Sequence, residues 1–69
     1  MSFNYSKLAG RIKEKFKTQS AFASAMEMSE RTLSQKLNNK IAMKQDEILK
    51  ACELLEVPME EMHLYFFNL

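Results

Sequence analysis

Glycine, proline, cysteine and histidine occur once each in this 69-residue chain, and tryptophan is missing. With 46% hydrophobic residues, so little glycine and proline argues against both disorder and a turn-rich β fold. A single glycine, Gly10, cannot build a phosphate-cradling loop. Cys52 has no partner for an intramolecular disulfide, and with His63 eleven positions later it does not make a zinc ligand set. Cys52 is expected to be a buried core thiol. His63 has no neighbouring nucleophile, and the acids before it, Glu60 and Glu61, read as a helix N-terminus rather than a paired catalytic site. No signal peptide or membrane-spanning run is evident, so the protein is expected in the cytoplasm. A chain of this length makes one domain that buries roughly 60% of its unfolded surface, too little for a deep enzyme pocket. No enzyme activity, cofactor, metal, membrane contact or small-molecule substrate is expected.

What the chain does have is an uneven charge distribution. Residues 1–44 carry nine Lys/Arg against three Glu, a balance of +6. Residues 45–69 carry one Lys against six acids, a balance of −5. The overall charge of +1 hides this division. One part suits phosphate and the other repels it.

Helical periodicity runs through nearly the whole sequence. A first helix is predicted over Phe3–Phe16, capped by Asn4 or Ser6, with Leu8, Ile12 and Phe16 on its inner face. Thr18 caps a second helix carrying Phe22, Ala25 and Met26, and Ser29 caps a third carrying Leu33 and Leu37. Met28 and Leu33 are spaced as a hydrophobic staple across that second cap. After a loop over residues 38–43, a fourth helix runs to Leu55 with Ile48, Leu49, Cys52 and Leu55 as its apolar face and Asp46 and Glu47 in its first turn. Pro58 opens a fifth helix over residues 58–67, with Met62 and Phe66 closing the core. Leu64, Tyr65, Phe67 and Leu69 then exceed what so short a helix can bury, which marks them as a protein interface.

The stretch 18–40, with Gln19, Phe22, Ala23, Met26, Met28, Ser29 and Leu33, resembles the Cro/repressor-type (XRE-like) helix-turn-helix of phage and bacterial regulators. Ala23 supplies the small residue where the two helices approach closest. The resemblance extends from the first helix to the final residues. It implies an all-α single domain over 1–69, of about five short helices, with a lambda-repressor-like DNA-binding fold and the motif at helices two and three. Glu27 stands at the corner where that family has glycine, so a left-handed backbone is expected there at about 1 kcal/mol. Lys17, Asn39 and Glu56 fall at helix ends that likewise favour glycine. Lys36 stands where the family has an apolar residue, which here comes one position later as Leu37.

The resemblance implies that the third helix enters the DNA major groove. With Leu33 and Leu37 turned inward, Arg31 and Gln35 point outward, flanked by Ser34, with Ser29 and Glu30 at the helix N-terminus. Arg31 suits guanine and Gln35 adenine. Thr18, Gln19, Asn38, Lys40 and Lys44 are the candidate phosphate contacts. The function so implied is a Cro-like repressor binding operator DNA as a homodimer, with its recognition helices about 34 Å apart. The alternative is a modulator of repression, or antirepressor, that binds a phage repressor protein and covers its DNA-binding domain. Glu30 and the acidic C-terminal half favour that alternative, because they complement a basic repressor surface. A toxin–antitoxin antidote is a third reading, but the tail that usually neutralises a toxin is missing.

Overall fold

Every segment with apolar residues at helical spacing is helical in the computed structural model, which describes residues 3–69. The helices are α1 (Ser6–Phe16), α2 (Gln19–Ala25), α3 (Glu30–Leu37), α4 (Gln45–Leu55) and α5 (Met62–Phe66). A 3-10 turn, Met59–Glu61, leads into α5, and no strand occurs among the described residues. The first helix therefore starts at Ser6 rather than Phe3, because the Asn4 side chain accepts from both the Ser6 N–H (2.9 Å) and the Ser6 hydroxyl (2.6 Å). The fifth is shorter than residues 58–67, because Pro58 is extended and the next three residues coil more tightly.

Side-chain caps set the starts of α2 and α3. Thr18 accepts from the Ala21 N–H at 3.1 Å, and Ser29 accepts from the Thr32 N–H at 3.0 Å. Each of the four positions expected to be left-handed is so: Lys17 at φ 71°, Glu27 at 59°, Asn39 at 62° and Glu56 at 56°. Asn39 tolerates that geometry best and also closes the structure, since its amide exchanges two 2.9 Å hydrogen bonds with the Phe3 backbone. The N-terminal segment is held further by the Asn4 N–H on the Asn68 carbonyl, 2.6 Å, and by Phe3 edge-on to Phe67.

Leu8, Ile12, Phe22, Ala23, Leu33, Leu55 and Phe66 meet in a common core, and Phe16 and Met28 pack against it. Cys52 is buried there, and burial pushes its thiol pKa up. Arg11 of α1 finishes α4: its Nε donates to the Leu55 carbonyl at 2.9 Å, at the negative end of that helix. Lys15 adds an ion pair to Glu56 at 3.1 Å.

Four side chains lie differently from expectation. Tyr65 is only 9% exposed and belongs to the core, with Lys7 Nζ 5.0 Å from its ring centroid, so its assignment to the interface is corrected. Leu49 is exposed, because it sits one position off the Ile48–Cys52–Leu55 stripe. On α3 the inward residue after Leu33 is Lys36, 4% exposed, while Leu37 is half-buried. Spacing of three rather than four residues thus directs the C-terminal half of α3. The lysine stem lies in the interior and its Nζ meets Glu47 at 2.9 Å and the Ala42 carbonyl at 3.2 Å. Glu47 also accepts from the Lys44 N–H at 2.9 Å. Burial alone would raise the Glu47 carboxyl, but the Lys44 N–H and the Lys36 ammonium outweigh it and hold the pKa below the ordinary range.

Two stability measurements follow from this packing. Gly10 is exposed within α1, and a Cβ there would meet no atom within 4 Å. Gly10→Ala should therefore raise unfolding stability by about 0.5–1 kcal/mol in urea denaturation, and a decrease would contradict this view of α1. A depressed carboxyl contributes its stability in full above its unfolded-state pKa and loses it as pH falls through the folded one. Glu47→Gln should cost about 1–3 kcal/mol near neutral pH, with the gap from wild type closing in acid. A gap that persists unchanged into acid would mean that the pair is not ionised in the fold.

Candidate functional site

Two surfaces compete for a functional role. The first is the outward side of α3. Glu30 and Arg31 are exposed, whereas Ser34 and Gln35 are half-buried. Ser29 is occupied as the cap of α3, and its hydroxyl also donates to Thr32 Oγ1 at 2.9 Å. Asn38 folds back along the helix, its amide donating to the Ser34 carbonyl at 2.8 Å and to Ser34 Oγ at 3.3 Å. Thr18 is likewise spent as a cap. Gln19, Lys40 and Lys44 are exposed. Arg31, Lys40 and Lys44 form no ion pair with any described carboxylate.

The expected basic face is thinner than the sequence suggests. Arg11, Lys15 and Lys36, three of the nine cations in residues 1–44, are paired with Glu14, Glu56 and Glu47, the first two at the surface and the last in the interior. At the corner between α2 and α3, Glu27 accepts from Lys50 Nζ at 2.7 Å. That hydrogen bond, helped by the lysine charge, lowers the Glu27 pKa. A carboxylate therefore stands at the corner and another, Glu30, at the start of α3, both exposed. Such placement disfavours close approach of phosphate.

The second surface is apolar. Of the four residues predicted as an interface, Leu64, Phe67 and Leu69 are exposed and Tyr65 is not. The structure adds Leu49, which the sequence places on the inner face of the fourth helix, and Met59, which it does not single out. Leu49 could have been found from its offset on the α4 stripe, whereas Met59 carried no signal, since a residue following proline in an undetected 3-10 turn has no periodicity to betray it. Met43, Ile48, Leu49, Met59, Met62 and Phe67 line an open groove of about 410 Å³ between α4 and the C-terminal segment.

Among the described residues there is no cluster of His, Cys, Asp and Glu that could hold a metal ion, and no helix long and apolar enough to cross a membrane. Burial raises the pKa of the half-buried Tyr5 phenol.

Over residues 1–69 the sequence matches the family described as "Protein of unknown function (DUF739)". The chain is also similar to the modulator of repression (MOR) of the temperate bacteriophage TP901-1 from Lactococcus lactis, known as a solution structure. The identity is 54%, the TM-score 0.84, and the match covers 99% of this chain and 92% of that one. No curated protein matches the sequence. These findings correct the resemblance to Cro/repressor-type regulators. The helix pattern of residues 18–40 occurs here in a chain whose similar neighbour is named for modulating repression, not as a Cro-type repressor.

Proposed function

This chain belongs to the DUF739 family, and from that premise we propose that it is a phage modulator of repression, which binds a repressor protein rather than an operator. The observation that carries this reading is 54% identity to a modulator of repression over nearly the full length of both chains. Similarity on that scale extends to surface as well as core, and function resides in surface sites rather than in the fold. The charge division supports it further, since an acidic C-terminal half suits a partner whose natural ligand is DNA.

In this reading residues 1–69 act as one domain in the cytoplasm, with no catalytic step. Helices α2 and α3 form a helix-turn-helix in a lambda-repressor-like arrangement, kept as a scaffold. Leu64, Phe67 and Leu69 belong to the interaction surface. Arg31, Gln35 and their neighbours have no base-reading role, and an operator-bound homodimer is not part of the account.

Fluorescence anisotropy with labelled operator DNA tests the proposal. The protein alone should leave the DNA signal unchanged, and added to its cognate phage repressor it should shift the repressor's apparent operator affinity at least tenfold. Sequence-selective binding by the protein alone, or an unaltered repressor titration, would refute the assignment.

A further inference from the structure

Resting on that reading, we propose that the groove between α4 and the 3-10 turn–α5 segment is the docking site for the basic, DNA-binding face of the repressor. The groove combines apolar exposure with an acidic surround. Leu49, Met59 and Phe67 are 45%, 59% and 46% exposed, a concentration of large apolar side chains unusual for so small a domain. Met43, Met59 and Met62 give the lining flexible, polarizable side chains that adapt to an inserted residue.

Charge selects the occupant. Asp46 adjoins the groove residue Gln45, Glu53 lies one helical turn beyond Leu49 on α4, and Glu60 and Glu61 stand between Met59 and Met62. All four are exposed, and none takes part in an ion pair among the described residues. Lys50, which follows Leu49, is held by Glu27 at 2.7 Å and does not neutralise the rim. Lys44, beside Met43, marks the end at which the acidic surround stops. Nucleic acid and anionic lipid are repelled by such a rim. A symmetric dimer through the groove would set the same carboxylates against their copies. A surface built to hold phosphate carries the opposite charge, and an apolar side chain standing among its cations would fill the groove.

Isothermal titration calorimetry of the full-length protein against its cognate full-length repressor tests the site. Leu49→Ser combined with Met59→Ser should weaken binding at least tenfold, with circular dichroism reporting the fold. Glu60→Lys combined with Glu61→Lys alters exposed side chains and leaves the core untouched. It should also weaken binding at least tenfold and flatten the decline in affinity as salt is raised. Lys13→Ala, on exposed α1 surface, should bind as wild type does. Should both groove variants bind normally while Arg31→Ala on α3 loses tenfold, the groove is overturned and repressor binding itself still stands. If the wild-type protein binds no repressor, the site fails together with the reading on which it rests.

Discussion

An ion pair between a buried lysine and a half-buried glutamate sets the geometry where α3, the following loop and α4 meet. Lys36 reaches from α3 through the interior to Glu47, and the same two side chains also hold the Ala42 carbonyl and the Lys44 N–H. One charge pair thereby joins α3, the loop after it and the first turn of α4. Removing one partner would leave a charge stranded in a low-dielectric interior, which is far costlier than losing an exposed pair. Lys50–Glu27 and Lys15–Glu56 are of the exposed kind and contribute little each. Because Glu47 is fixed, Ile48 and Leu49 are fixed too, the first in the core and the second at the groove.

The helical skeleton was legible in the sequence because local chemistry dictated it. Thr18 and Ser29 announce their caps, and the four left-handed positions can be read from where each helix must stop. What could not be read was the rotation of individual residues. Lys36 has enough apolar stem to occupy a core position while its ammonium reaches Glu47, and a reading by residue class assigns that position to Leu37. Tyr65 and Phe66 are both buried although adjacent, because α5 is a single short turn enclosed by Lys7 and the N-terminal segment. A longer regular helix would have turned one of them outward.

The functional surface was legible only in part. Uneven charge and surplus apolar residues near the C-terminus were plain, and they favoured a protein partner. The helix pattern of residues 18–40 pointed toward operator binding, because cap residues, a small Ala23 and a staple encode two helices at a corner whatever binds them. Other features weigh toward a protein partner: cations paired with carboxylates, Glu27 and Glu30 beside α3, and uncommitted carboxylates around the groove.

Repressor recognition is proposed here for α4 and the C-terminal segment, with α3 as scaffold. Amide chemical-shift mapping of the isotope-labelled protein, with unlabelled repressor and separately with operator DNA, tests that placement most directly. Repressor should perturb residues 43–49 and 59–69, and DNA at physiological salt should perturb no contiguous patch. Perturbation of α3 by operator DNA, with residues 59–69 unmoved by repressor, would contradict it.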